Sequence, residues 1–461
     1  MRFDGDLAEI RFGAGLSPLL PPPASAEEML ARLKRPDRAA QAFPLPDFDA
    51  AFQDTREFRR LRRARYKARG QAGYEAADDA FRAYRRARNR EHRRWHGQRL
   101  LRHIHTSDGL RERLVLFWAD HLSAQGKTGL YRVLAAPYAE TVIRPHVAGR
   151  FEDMLIAAVT SPLMLHYLDQ DRSAGPGSRA AQRRKRISGL NENLAREVLE
   201  LHTLGADGPY SQTDVRQLAE LFTGLSVQGS DGFLFRPGMA EPGPEMVLGQ
   251  TYGGGRPELE QVLAALRDLA RHPATARHIA WKLAVHFTSD TPEQALVDHL
   301  AARYLETGGA LLPVYEALLE HPAAWAPGLG NVKPPFDFLA SACRALAVPE
   351  AGIAGLKPGQ IYRLLLAPLT PMGQRWEFPN GPDGWAEEDR AWITPQALAA
   401  RLRWALAAPR QLLQALPDPR EFAEAALGGY ANERVRFAAR AAETRSEGIG
   451  LILSSPAFQR R

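Results

Sequence analysis

Residues 189 to 224 read GLNENLAREVLELHTLGADGPYSQTDVRQLAELFTG, and the first half of this stretch decides the fold class. With a step of about 100° per residue, Leu194, Val198, Leu201 and Leu204 fall on one apolar stripe, which predicts an amphipathic helix over 191 to 204 that stops at Gly205. Asn193, Glu197 and Glu200 line one border of that stripe. Glu197 lies about 40° from Leu201, so its carboxylate is expected to be partly buried, where it needs a partner or must shift its pKa. His202 falls on the opposite border, so this helix does not present Glu197 and His202 to one ion. Asn191 offers a helix cap. Glu192, Arg196 and Glu200 also fit a plain ladder of intrahelical ion pairs, worth a few tenths of a kcal/mol each. Ser211 with Asp214 three residues on has the form of a cap on the next helix.

The same periodicity recurs outward in both directions. Ser25 can cap a helix beginning EEMLARL, and a hairpin of long helices is expected from about 54 to 102, interrupted at Gly70 and Gly73. Further helices are expected at 151 to 170, 212 to 223, 257 to 271, 273 to 287, 292 to 306, 311 to 320, 333 to 346, 394 to 407, 420 to 427 and 431 to 455. Two segments break the pattern. Residues 226 to 256 are rich in Gly and Pro with short apolar runs, which suits a small hairpin or an ordered loop. Residues 370 to 393 gather Trp376, Phe378, Trp385 and Trp392 among turn residues, as in a loop packed onto the body. The expected fold is therefore mostly α: one multi-helix globular unit over 1–461, with a small irregular or β-hairpin insertion near 226–256. Its N-terminal half, 26–175, carries the basic long helices, and its C-terminal half, 187–461, carries the NEN-ARE motif.

Composition narrows the function classes. A chain of 461 residues with 45% apolar content can bury a large core, which excludes a wholly disordered protein. One cysteine, Cys343, excludes an internal disulfide, a thiolate zinc cluster and a CxxC redox pair, so any metal must sit on His, Asp or Glu. Net charge is +7, yet Arg56 to Arg102 alone holds 17 Lys and Arg against 5 acids, so the basicity is regional. That region could meet an anionic polymer. Nucleic-acid binding is the weaker form of this reading, because no reader motif accompanies the patch. No run of apolar residues is long enough for a membrane span. The opening MRFDGDLAEIRF lacks a signal-peptide core, so the cytoplasm is the default expectation.

A second candidate lies on the helix ending FWADHL. Leu110, Leu114, Phe117 and His121 share one face, which places His121 at the end of the core stripe beside Trp118. His121 is then either a satisfied core imidazole or a ligand or base pointed into a pocket. A shared site would combine Glu197, Glu200 and His121 as the catalytic or metal-ligating groups, with Asn193, Arg196, Asp120 and His202 as substrate contacts. The Glu-x-x-His pair of di-iron bundles is missing, and no Walker loop, GxSxG elbow, HExxH or GxGxxG occurs. The identity of any metal or cofactor, and the oligomeric state, are open at this level.

NENLAREVLELHTLG followed by DGPYSQTDVRQLAELFTG resembles the signature of the bacterial domain-of-unknown-function family numbered 1800. FWADHL, ARHIAWKLAVHFTSDTP, KPPFDFLASACRAL, GWAEEDRAWI and LILSSPAFQ are similar to further stretches of that family, so the resemblance spans nearly the whole chain. It implies one mostly helical unit and genomic company with the family numbered 1501, whose members resemble sulfatases and alkaline phosphatases. Asn191, Glu192, Asn193, Ala195, Arg196, Glu197, Glu200, Leu201, Thr203, Leu204 and Gly205 match its pattern, as does His121. Ala119 stands where the family has His, Asp120 where it has Asn, and Ala240, Glu241 and Glu245 where it has His, Asp and Lys. The working expectation is a helical protein acting with such a partner, in envelope or extracellular-polymer processing and exported bound to it if at all. The alternatives are a metal-assisted hydrolase using the His and Glu ligands and a binder of an anionic polymer.

Overall fold

The structure is a computed structural model that describes residues 3–127, 129–183, 189–228 and 232–461. Helices dominate, and the strands form two consecutive antiparallel hairpins, Leu225–Val227 with Phe233–Phe235 and Pro244–Val247 with Gln250–Gly253. Among the described residues the expected insertion consists of these two small hairpins. In the basic run RAAQRRKR at 179 to 186, Arg179–Arg183 form a short helix and 184 to 186 lie outside the described residues. Among the described residues no helix is long and apolar enough to cross a membrane.

The helix starts follow the local chemistry. Helix α1 (Ala26–Lys34) is capped by Ser25, whose hydroxyl accepts from the Glu28 amide. Helices α2 (Phe48–Lys67) and α3 (Tyr74–His105) form the expected long hairpin, turning at Gly70 with φ of 79°, a conformation that glycine adopts without strain. Ser211 and Asp214 make a reciprocal capping box on Gln212–Leu221. Two expected helices are broken. Residues 151 to 170 divide into Phe151–Val159 and Pro162–Tyr167, because Ser161 caps the second with Pro162 at its first turn. Residues 431 to 455 divide into Glu433–Ala441 and Arg445–Ser454, because Ala442 is extended and Thr444 caps the second, accepting from the Glu447 amide.

Apolar packing gathers into two main cores. The larger runs from Ala8 to Ala324; the second joins residues 336 to 458 with Phe43, Leu100, Leu101 and Ile104. Helix α4 (Gly109–His121) lies between them. Phe117 and Trp118 belong to the first core, while Leu116 packs on the second, so this helix buries two faces rather than one stripe. Buried ion pairs knit the seam. Asp337 is clamped by Arg113 and by Arg461, and Arg344 donates to the carbonyls of Gly15, His103, Ile104 and Thr106.

The motif helix departs from the expectation in an informative way. Helix α5 (Asn193–Glu197) passes directly into a π-turn, Val198–Thr203, in which Leu204 N–H donates to Leu199 O at 2.9 Å and Thr203 Oγ1 to Val198 O at 2.6 Å. The extra residue in that turn shifts the phase of everything after it. Leu201, assigned to the apolar stripe, is therefore half-exposed, and His202, assigned to the border, is fully buried.

Candidate functional site

A cavity of about 120 Å³ opens at the seam between the two cores. Helix α4 contributes Phe117 and Asp120; helix α6 (Pro273–Phe287) contributes His286; and Phe336 and Asp337 come from a later helix, α7 (Pro335–Ala345). The aromatic loop 370 to 393 closes the remaining side with Trp376, Glu377, Trp385, Glu387 and Trp392. That loop is packed down as its composition implies. Trp376 stacks on Phe336 with centroids 4.0 Å apart, and Trp392 is buried.

Four carboxyl groups face this space, and three are held by cations. Glu377 sits 3.0 Å from Arg99 and 2.8 Å from His92; burial alone would raise its pKa, but His92 and Arg99 outweigh that and lower it. Glu377 adopts φ of 61°, a left-handed conformation that costs a non-glycine residue about 1 to 3 kcal/mol. Asp337 is likewise pushed up by burial and pulled below its ordinary value by Arg113 and Arg461. Glu387 lies 3.4 Å from both His286 Nδ1 and Lys282 Nζ. Against its burial, the His286 hydrogen bond and the Lys282 charge bring it down to about 2.

Asp120 differs. Its direct partner is an amide: Trp385 N–H donates to Oδ1 at 2.9 Å. Burial first, then the charge of Glu387, drive its pKa to about 8, against the opposing pull of Lys282 and of that amide. The loop closes onto it at Gly384, with φ of 79°, where a side-chain carbon would come within 2.6 Å of Asp120 Oδ1. Only glycine lets the backbone approach so closely.

The residues singled out from sequence divide among three places. Asp120 lines the cavity. His121 turns away from it into a buried imidazole group: its Nε2–H donates to the His202 carbonyl at 3.1 Å, and its ring lies 6.4 Å from that of His202 and 5.9 Å from that of His278. Burial holds all three below the ordinary histidine value, His202 and His278 at about 4, so they are neutral at pH 7. Glu197 is half-buried, and burial, Glu200 and Asp383 raise its pKa to about 7. Asp383 raises Asp120 as well, so this loop residue couples the motif helix electrostatically to the cavity.

Glu200 bonds Tyr210. Arg196 meets Glu192 at 3.3 Å and Gln212 at 3.0 Å, the outer rung of the expected ladder, and Asn193 is exposed. Asn191 accepts from the Asn193 amide at 2.9 Å. Among the described residues no group of three or more His, Cys, Asp and Glu side chains is arranged to hold a metal ion. Sequence reasoning passed over Glu377, Glu387, Asp337 and His286. The signal for the first two was the aromatic density of 370 to 393, which marked the loop as packed without saying against what.

A family model described as "Protein of unknown function (DUF1800)" matches residues 11–460. The chain belongs to this family. Comparison with curated proteins and with solved structures finds no match. The DUF1800 match takes in every wall of the cavity and all of both cores but Ala8, so the seam lies inside the family's own unit.

Proposed function

We propose that the seam cavity is an acid–base site in which Asp120 donates a proton to the leaving atom of a substrate bond. One observation carries this reading: two carboxyl groups on the same small cavity are driven apart, Asp120 up to about 8 and Glu387 down to about 2. At pH 7 the first is an acid with a proton to give and the second is an anion able to stabilise positive charge, a division of labour that environment imposes on chemically similar groups. As the protonated leaving group departs, a water molecule adds to the atom it leaves, and the proton that this water sheds returns the Asp120 carboxylate to its acid form. The aromatic walls Trp376, Trp385 and Trp392 shed water from the entering group and strengthen the electrostatics inside.

Asparagine keeps the shape of a protonated aspartic acid and removes only the transferable proton. Asp120→Asn should therefore fold normally and lower turnover of a chromogenic hydrolase substrate about 10²- to 10⁴-fold at pH 7. The wild-type rate should fall on an alkaline limb near pH 8. Infrared difference spectroscopy, wild type minus Asp120→Asn, should show a protonated carboxyl at pH 7; a carboxyl that titrates below pH 5 overturns the reading.

We also propose that the protein works alongside a sulfatase-like partner of the family numbered 1501, in envelope or extracellular-polymer processing. The family membership supports it through the genomic company the resemblance implies. Gentle lysis followed by affinity purification should recover the neighbouring gene's product in stoichiometric amount, and recovery of this chain alone would count against it.

A further inference from the structure

The α2–α3 hairpin stands apart from both main cores over its outer half. There it is held by a small separate cluster, Phe58 against Phe81 at 5.2 Å with Leu61, Tyr84 and, from outside the hairpin, Val133. Its aromatic rings other than Tyr66 are mostly turned inward: Phe58, Phe81 and Trp95 are buried, and the Tyr84 hydroxyl donates to Asp54. Several of its acids are paired with its own arginines. Asp78 is buried under Arg65 and Arg82, Asp54 holds Arg88 at 2.6 Å, and Glu57 holds Arg60.

What remains outside is mainly cationic, with Glu75 and Asp79 the exposed acids of α3. Arg82, Arg86, Arg90 and Arg94 are all exposed and recur every fourth residue of α3, forming one ridge with a step of about 6 Å and a length of about 18 Å. Arg86, Arg90 and Arg94 form no ion pair among the described residues. Like charges four apart disfavour a helix by a few tenths of a kcal/mol per pair, so the ridge is a cost to the isolated protein. Helix α2 adds exposed Arg62, Arg63 and Lys67.

We infer that this outer face is a docking surface for a linear acidic polysaccharide, seated along the Arg82, Arg86, Arg90 and Arg94 ridge. The planar guanidinium fork matches sulfate and carboxylate groups, and the ridge supplies one fork per step along a straight line. Single-stranded nucleic acid fits less well, because it needs exposed rings on which bases stack, and of the hairpin's aromatics only Tyr66 is largely exposed. A bilayer fits less well, because the hairpin shows no apolar face to sink into it. The base of α3 reaches the seam cavity, where His92 and Arg99 hold Glu377, so a polymer on the ridge runs toward that site. The inference does not depend on the role given to Asp120.

The test uses the full chain with heparin as the probe, titrated against salt, beside a dT20 oligonucleotide and phosphatidylglycerol vesicles. Wild type should bind heparin most tightly, with affinity falling steeply as salt rises. The triple variant R86Q/R90Q/R94Q should weaken heparin binding at least tenfold and lower the slope of log affinity against log salt by about 2 to 3. Another triple variant, R403Q/R434Q/R440Q, removes the same charge from exposed positions elsewhere and should stay within twofold of wild type. Circular dichroism checks that both variants fold. Equal losses in the two variants, no heparin binding at low salt, salt-independent binding, or tighter binding of dT20 or vesicles would each overturn the assignment.

Discussion

Replacing Asp337 with alanine should destabilise the protein by about 3 to 5 kcal/mol, because it leaves a group of buried cations with no counter-charge. Arg113 and Arg461 both converge on this carboxylate, and Arg401 and Lys333 are buried nearby. Lys333 already shows the strain in charge: burial first, and Arg113 next, lower its pKa to about 7, and Asp337 is the group that holds it up. Without that carboxylate Lys333 should lose its proton, while the arginines cannot. Asp337→Asn should cost nearly as much as alanine, since the lost charge rather than the lost volume does the damage. Urea unfolding of the two variants beside wild type measures this. A loss below about 1 kcal/mol in both would mean that the seam is not held by its ion pairs. The contribution also has a pH signature. The folded pKa of Asp337 is depressed, so its stabilisation is present above the ordinary aspartate range and disappears as pH falls through the folded value.

Glu387→Gln should shift the proton on Asp120 and so report on the pair directly. Burial, the first cause of Asp120's high pKa, persists in the variant, but the negative charge that is the second cause is gone and Lys282 loses its partner. The Asp120 carboxyl should then titrate about one pH unit or more lower, and the alkaline limb of turnover should move down with it. At pH 8 the variant should retain about a fifth or less of wild-type activity if Asp120 acts as the acid. The two carboxyls also shape stability with opposite signs. Asp120's folded pKa is raised, so its contribution is complete below about pH 4 and is lost as pH climbs through about 8. Glu387's folded pKa is depressed, so its contribution is present above the ordinary glutamate range and is lost as pH falls toward 2. Wild type should therefore soften between pH 4 and 8 more than Asp120→Asn does, and between pH 4 and 2 more than Glu387→Gln does. Thermal melts across this range check both. Parallel curves for wild type and Asp120→Asn between pH 4 and 8 would show that Asp120 carries no displaced proton.

Much of the chain was legible because its signals are local. The Ser25 and Ser211 caps, the glycine turn between α2 and α3 and the Gly- and Pro-rich hairpin region depend on neighbours a few residues away. The two split helices carried local signals too, in Ser161–Pro162 and in Thr444 with Glu447, which periodicity counted over long windows smoothed away. The π-turn at Val198–Thr203 is a different matter. A fixed 100° step assumes that every turn is alike, and one added residue there exchanged Leu201 for His202 in the core.

By itself the sequence determined a mostly helical body, its long basic hairpin, its family kinship and the partial burial of Glu197. Those follow from spacing, capping and composition, which act along the chain. Only the tertiary structure decided that helix α4 is wedged between two cores, so that Asp120 shares a cavity with Glu387 some 267 positions away while His121, one residue on, joins His202 and His278. The reason is physical: an ionisable group's chemistry is set by the dielectric and the charges around it, and in this fold those arrive from α6, α7 and the aromatic loop, remote in sequence and adjacent only after packing.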